Sequence, residues 1–486
     1  MQDTKVIPTF LHIFSFLLAG SLIVAFFIIG VALRDNEIAL FAVGGIIALA
    51  TAVIILYKPE FGAYILIFTI FTNLSTIFTE KGLPSINKPL VILVIFSLVL
   101  NYFLSEEKLP FRWGRNQWFI FTYLLIWTLS VFIAKDRSLA ADHVIDFAKD
   151  FAIILAILYA LRNQKAWKTA IWLIIICATL LSLLNVLQTF TGNYEQTFFG
   201  LAIVDQQEVV TGVREYRLGG PIDAPNFWGM ILTATLTLAV YRVIDEKNKW
   251  IKIGALGSAV IIAFAIANTY SRGAFLAMAL ILVLIAIERR ARPTFFLLAI
   301  TGVILLLLFL PQSYSDRIQS LMILGSGEES SVYEDESFRG RLSEMRAGIN
   351  MFSDHPFLGV GIGNYNLHYQ DYARQIGLEY RTEDRDAHSL YVEILAETGL
   401  AGIIAFSLLF LSIIFSLFSL QHKFRTQHID RKWASWLVSL QMAILAYLFS
   451  STFLHGDFFR YMWLFVALAI AGIHFSGKKL AEVKSV

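Results

Sequence analysis

The sequence predicts an all-α fold: a polytopic membrane protein of about fourteen (12–14) transmembrane helices with one large helical extracytoplasmic loop. Three observations predict it. Hydrophobic residues make up 57% and charged residues 16% of the 486 positions, and the mean hydropathy is +0.66, outside the range of a soluble globular domain. Apolar runs recur along the chain, most of them long enough to cross about 30 Å of hydrocarbon at roughly 1.5 Å per residue. One polar stretch, Pro311 to Ser389, interrupts them.

The runs lie near residues 9–33, 37–57, 61–77, 89–104, 117–134, 144–161, 168–190, 224–241, 251–270, 273–288, 294–310, 390–420, 433–453 and 461–476. They are too long and too uniformly apolar for barrel strands, and lipid demands that each satisfy its own backbone, so they read as helices. The third and fourth are short, and Asp146, Lys149 and Asp150 make the sixth polar, which sets the lower bound of twelve. The first is too long for a signal-peptide core and has no small-residue cleavage pattern after it, so it is expected to be a retained span. Residues 1–486 thus read as a single polytopic membrane domain, with 311–389 a large extracytoplasmic loop and 191–223 a smaller outer loop. The one cysteine, Cys177, lies inside an apolar run, which leaves no internal disulfide or thiolate metal site.

Basic residues in short loops orient the spans. With Met1 inside, one face holds Lys5, Lys58, Lys108, Arg112, Arg115, Arg162, Lys165, Lys168, Arg242, Lys247, Lys249, Lys252, Arg289, Arg290, Arg292, Lys423, Arg425, Arg431, Lys432, Lys478, Lys479 and Lys484. The other, apart from the long loop, holds only Arg34, Lys81, Lys88, Lys135, Arg137, Arg214, Arg217, Arg272 and Arg460. Both termini are therefore expected to be cytoplasmic and the loop 311–389 outward. Beyond Phe190 every basic residue on the outer face is arginine. A guanidinium grips phosphate oxygens bidentately and does not deprotonate, so phosphate chemistry is one reading; pairing with the acidic run Glu328 to Glu336 is the other.

Individual residues sharpen this. Arg272 stands in TYSRGAFLA between two apolar runs with almost no loop to keep it wet, a costly position that reads as a functional site or as an interfacial anchor. Arg214 and Arg217 lie in TGVREYRLGGPIDAPNFWG, where Gly219, Gly220, Pro221 and Pro225 force a tight, non-helical entry into the next span, a turn able to present amides and arginine to one anion. His388 opens the span after the long loop, with Glu393 and Glu397 one turn apart on one helical face. With Asp386 as the cap, His388 is expected in the first helical turn, where the dipole favours neutral imidazole, the form a general base needs. The histidines show no familiar ligand spacing, so no metal is expected, and GVGIGN lacks both the preceding strand and the lysine of a phosphate loop, so it reads as a turn.

Taken in order, an arginine before a glycine-rich Pro-Asn turn (Arg217 to Asn226), Ser-Arg-Gly at 271–273, Gly340-Arg341 before a helix, DHPxxGxGxGN ending at Asn364, and AHSxYxExxxExG from Ala387 to Gly399 resemble the O-antigen ligase and O-antigen polymerase superfamily. The resemblance covers roughly Arg214 to Gly402. It implies a bacterial cytoplasmic (inner) membrane glycosyltransferase acting on the periplasmic face without metal or cofactor. The donor it implies is an undecaprenyl-pyrophosphate-linked glycan, and the acceptor a glycan or lipid A core hydroxyl, transferred with inversion; membrane lipids surround the chain and nucleic acid has no part.

Carried onto this chain, His388 takes the acceptor proton, Arg217 and Arg272 neutralise pyrophosphate with Arg214 and Arg341 as further donor contacts, and Asn226, Asp386, Glu393 and Glu397 support them. Ser389 and Met345 depart from the common asparagine and aromatic of the family, and neither removes a proposed chemical group. Ligase-type transfer is the preferred reading. Polymerisation of lipid-linked repeat units is the alternative, and a lipid-linked glycan flippase a third, which predicts ionisable residues near the bilayer midplane.

Overall fold

A computed structural model describes residues 37–104, 113–210, 213–290, 336–377, 385–456 and 459–484. The expected spans at 9–33 and 294–310, residues 311–335 and 378–384 of the long loop, and the side chain of Arg214 lie outside the described residues. In chain order the helices are α1 (Glu37–Tyr57), α2 (Pro59–Phe71), α3 (Leu74–Glu80), α4 (Asn87–Leu104), α5 (Arg115–Ser130), α6 (Arg137–Ala160) and α7 (Gln164–Thr191). After strands β1 (Ile203–Val210) and β2 (Val213–Gly220) come α8 (Pro225–Asp245), α9 (Lys249–Asn268), α10 (Arg272–Glu288), α11 (Glu336–Asp354), α12 (Tyr365–Ile376), α13 (Leu390–Thr426), α14 (Arg431–Ser450) and α15 (Phe459–Lys484).

Helices cover each apolar run that lies within the described residues. Among the described residues, which hold twelve of the fourteen expected runs, seven helices suffice by length and composition to cross a bilayer, or eight if the bent pair α2 and α3 is one span. The physical reasons are local: α5 has 16 residues and α10 has 17, while Asp142, Asp146, Lys149 and Asp150 fall within α6. The run at 61–77 is not one straight helix. It bends by 61° at Thr72 and Asn73, where Asn73 adopts φ 53°. The Asn73 amide reaches across to the Pro221 carbonyl at 2.9 Å and ties the bend to the turn before α8. The fold is also not wholly helical, because the stretch 191–223 contains the antiparallel pair β1 and β2.

Helices α8 and α14 are the axis of the bundle, each 83% buried over its apolar window. Lipid tails are as apolar as leucine, so close packing and hydrogen bonds, rather than water exclusion, hold such helices together. Small residues provide the approach: a Cβ on Gly229 would come 2.7 Å from the Cβ of Ala274, and one on Gly472 would come 2.7 Å from the Trp167 ring. The Trp167 indole donates to the Leu468 carbonyl at 2.8 Å.

The two ends of the bundle are chemically distinct. At one end Arg242, only 2% exposed, lies 3.5 Å over the Trp436 ring and donates to Ser435 at 3.1 Å. Arg289 forms a fork with Asp245 at 2.9 and 2.6 Å, and Glu288 is shared by Arg425 and Tyr241. These contacts pin α8, α10, α13 and α14 together. The arginines of the other end, with His388, form the region described next.

Candidate functional site

The β-hairpin positions Arg217. In its register Arg217 faces Asp205, and the strand ends at Gly220, whose φ of 61° and close approach to Trp228 (2.5 Å for an added Cβ) require glycine. Pro225 then opens α8, a position where its missing amide hydrogen costs nothing. Arg217 is left 7% exposed, donating from Nη2 to the Asn226 side-chain oxygen at 2.8 Å and from Nε to the Thr269 carbonyl at 3.1 Å. Both of these partners are neutral oxygens, so they fix the guanidinium plane without cancelling its charge.

Thr269 lies three residues before Arg272, so the same contact draws the two arginine segments to one end. Ser271 caps α10, accepting from the Ala274 amide, and Arg272, half-buried, is the first helical residue. The preceding Tyr270 adopts φ 51°, which turns the chain sharply out of α9. Gly273 packs on the Phe453 ring, 3.2 Å from an added Cβ.

His388 does not lie in the first turn of its helix, and Asp386 is not the cap. Ser389 holds the N-cap position with no side-chain cap, and His388 stands before it at φ 45°. The reason is competition for the terminal amides: the Leu390 amide is taken by the Ser451 and Leu454 carbonyls, at 3.0 and 2.7 Å, rather than by a local side chain. A left-handed non-glycine residue costs about 1–2 kcal/mol, and such strain concentrates where structure serves function. The turned backbone brings the imidazole, 30% exposed, over α11, where Nδ1 is 3.1 Å from Oε2 of Glu344 and 3.2 Å from the Asp386 carbonyl.

Glu344 is 1% exposed and also meets Arg385 at 3.1 Å, so a buried carboxylate links a guanidinium and an imidazole. Nδ1 hydrogen-bonds the Asp386 carbonyl, which can only accept, so the hydrogen is on Nδ1 and the lone pair lies on Nε2; Glu344 Oε2 stands beside it as a charge, without a hydrogen bond. The His455 ring stands edge-on to that of His388, centroids 5.5 Å apart, with its Nε2 3.5 Å from Asp386 and its ring 5.1 Å from Phe227. A continuous path of contacts therefore runs from Arg217 through Asn226 and its neighbour Phe227 to His455, His388 and Glu344.

Glu393 and Glu397 do not act on one partner, although one helix carries both. Glu393 accepts from the Gly456 amide at 2.7 Å and closes the turn that carries His455. Glu397 is buried and accepts from the Tyr365 amide at 3.0 Å, at the start of α12. Between them and the rest of α13 the helix breaks at Gly399 (φ 60°, ψ −156°).

The glycine run mends that break. Val360 and Gly361 donate to the Ala396 and Glu397 carbonyls at 2.8 and 3.0 Å, while Leu400 and Ala401 donate to the Pro356 and Phe357 carbonyls at 2.8 and 3.2 Å. An added Cβ on Gly359 would come 2.3 Å from the Glu397 backbone, on Gly361 2.5 Å from Ala134, and on Gly363 2.2 Å from His143. These glycines are structural, and Asn364 completes the dock by accepting from the Asp136 amide at 2.7 Å.

Of the residues singled out in the sequence, Arg217, Asn226, Arg272, Asp386, His388 and Glu393 are brought to one end of the bundle, and Glu397 supports them from beneath. Arg341 is on the exposed face of α11, one turn before Glu344. Sequence reasoning missed Glu344, Arg385 and His455. Only Glu344 carried a usable signal, as an acid one turn beyond Arg341 on a strongly amphipathic helix. Among the described residues no group of three or more His, Cys, Asp or Glu side chains could hold a metal ion.

A protein-family model described as O-antigen ligase matches residues 257–407. The match begins within α9 and ends within α13, so it contains Arg272, Arg341, Glu344, the glycine run and His388, and leaves out Arg217 and His455. No curated protein matches the chain.

Proposed function

We propose that this multi-pass membrane protein, whose residues 257–407 match the O-antigen ligase family model, transfers a glycan from an undecaprenyl-pyrophosphate donor to an acceptor hydroxyl. The reaction inverts the anomeric carbon and uses no metal. The observation that carries this reading is the His388–Glu344 contact, 3.1 Å long, at the same end of the bundle as Arg217 and Arg272.

The acceptor oxygen forms its bond to the anomeric carbon while His388 Nε2 takes the hydroxyl proton. The bond from that carbon to the pyrophosphate oxygen breaks, and its electron pair leaves with the pyrophosphate. Such a leaving group needs charge stabilisation and no proton, which fixed guanidinium groups supply. Arg217 is held ready by Asn226 and Thr269, and Arg272 enters from the next segment. The Asp386 carbonyl at Nδ1 keeps the imidazole in the tautomer that accepts at Nε2, the nearby Glu344 carboxylate stabilises the imidazolium formed, and Arg385 offsets part of the cost of burying that carboxylate. Positioned general-base catalysis contributes about 10²–10⁴-fold.

The basic bias of the other end makes that end cytoplasmic and the His388 end periplasmic in this reading. Mass spectrometry of products from purified protein, given a lipid-linked glycan and candidate acceptors, tests it. Glycan appearing on a lipid A core or other glycan acceptor supports ligation. Growth of the lipid-linked chain would instead mark a polymerase, and absence of any transfer would remove the enzyme reading.

A further inference from the structure

Helices α5 and α13 run antiparallel, and the glycine loop lies across their ends on the His388 side. Away from that side Ser412 donates to the Asn116 side-chain oxygen at 2.7 Å and Arg115 to the Ser416 hydroxyl at 3.2 Å. Near it the Ile362 amide donates to the Ser130 hydroxyl at 3.2 Å, while the Leu400 and Ala401 amides donate to the Pro356 and Phe357 carbonyls. The end of α5, the glycine loop and the break in α13 therefore share one level.

Each helix carries an exposed apolar stripe that stops at this level. On α5 it is Phe121, Leu125 and Leu129, continued by Phe132 in the following turn, and on α13 it is Leu400, Ile404, Leu408 and Leu411. Steps of three and four residues keep each stripe on one helical face. Helix α13 is long and apolar enough to cross a bilayer, so its exposed stripe is the face that meets lipid tails, and α5 runs beside it.

Phe357 stands where the two stripes end. It is 76% exposed, and Phe132 is 67% exposed. The backbone that carries Phe357 is fixed, because its carbonyl and that of Pro356 are held by α13 and a Cβ on Gly359 would come 2.3 Å from the Glu397 backbone. A lone exposed ring needs no explanation, but Phe132, Ile133, Phe357 and Leu400 form one exposed apolar edge. Just beyond it the chemistry changes on both segments. Lys135, Asp136 and Arg137 follow Ile133 by a few positions, and Asp354 and His355 precede Pro356. Two segments that switch from apolar to charged at a shared level mark the edge of the hydrocarbon.

We propose that Phe357, with Phe132 and Ile133, docks the glycine loop onto the phospholipid bilayer, its ring entering the acyl region just below the headgroups of the leaflet at the His388 end. The loop braces the break at Gly399, so the bilayer surface becomes the reference from which the height of His388 is set. The docking rests on the geometry of the spans and stands apart from the glycan transfer proposed above.

The test uses the full chain in phospholipid nanodiscs with a nitroxide on one introduced cysteine, in a Cys177→Ala background because Cys177 is the one native thiol. Power-saturation EPR compares the label's access to oxygen, which concentrates in hydrocarbon, with its access to a water-soluble nickel chelate. At Phe357→Cys and Phe132→Cys oxygen access is expected to exceed nickel access several-fold. At Asn350→Cys, an exposed position on α11, the order is expected to reverse. Nickel access above oxygen access at position 357 would place it in water and overturn the proposal. Low access to both would place it against protein, another segment of this chain or a second copy, and overturn it equally. If the cysteine variants do not fold, the wild-type chain is irradiated in nanodiscs holding a phospholipid with a diazirine near the ester end of its acyl chain. Labelling within residues 355–359 is expected, and labelling confined to the stripes of α5 and α13 would overturn the docking.

Discussion

His388 Nδ1 lies 3.1 Å from Oε2 of Glu344, a carboxylate almost wholly removed from solvent and 44 positions earlier in the chain. The pair separates two properties usually supplied by one helix terminus: the imidazole has a carboxylate of another element beside it, and it stays partly exposed for a substrate. In the proposed reaction the carboxylate stabilises the imidazolium, while the Asp386 carbonyl at Nδ1 leaves Nε2 to accept the proton. Glu344→Gln keeps the shape and removes the charge, so kcat is expected to fall by about 10²-fold with KM little changed. His388→Ala is expected to lose about 10²–10⁴-fold. Wild-type turnover by His388→Ala protein that inserts normally would eliminate it as the base.

Arginine geometry gives a second expectation. Arg217 is held by Asn226 and Thr269 through two different nitrogens, a grip that lysine does not reproduce. Arg217→Lys is therefore expected to impair transfer nearly as much as Arg217→Ala, and Asn226→Ala to impair it less, through loosened positioning. Full rescue by lysine in a transfer assay would reduce Arg217 to a simple cation. The same comparison at Arg272 separates phosphate binding from membrane anchoring.

The helix break supplies a third. Gly399→Ala places a Cβ 2.5 Å from the Phe357 backbone and forces a φ of 60° on an L-residue. Gly359→Ala meets the Glu397 backbone at 2.3 Å. The backbone conformation alone costs about 1–2 kcal/mol per residue, and contact with backbone leaves no flexible side chain to yield. Both variants are expected to lower the Tm and to reduce activity together with it. Gly377→Ala, at φ 69° with open space around it, pays the backbone cost alone and is expected to be milder.

The ion-pair end makes a fourth case. Removing Arg289 leaves the partly buried Asp245 without its fork and Glu288 with one guanidinium fewer, which is expected to cost less than the roughly 3–5 kcal/mol of breaking a fully buried pair. Because these residues lie away from His388, Arg289→Ala should lower thermal stability while the KM of protein that remains folded is unchanged. A raised KM with normal stability would contradict the separation of the two ends.

Much of this was legible in the sequence because lipid forces it: apolar length gives helices, and basic residues segregate by end. The residues at 217, 226, 272 and 388 were legible because guanidinium or imidazole beside a span has few ordinary explanations. The kink at Asn73 was hidden inside an apolar run. Glu344 was hidden differently, since an acid on an amphipathic helix looks like a solvated face until tertiary structure buries it. Local sequence points His388 into a helical turn because it shows the candidate cap, Asp386, but not the distant Ser451 and Leu454 carbonyls that capture the Leu390 amide. The ion pair of Arg460 with Asp150, 2.7 Å, likewise joins a charge that had stood out along α6 to the start of α15.

The break at Gly399 also sets depth. Beyond it, residues 400–426 rise at about 1.5 Å each to roughly 40 Å, enough to traverse the bilayer without help from the preceding segment. Residues 390–398 are then free to act as a stalk of up to about 13 Å. Such a stalk would hold the imidazole clear of the hydrocarbon, at the level where a polyprenyl tail ends and its phosphates meet water.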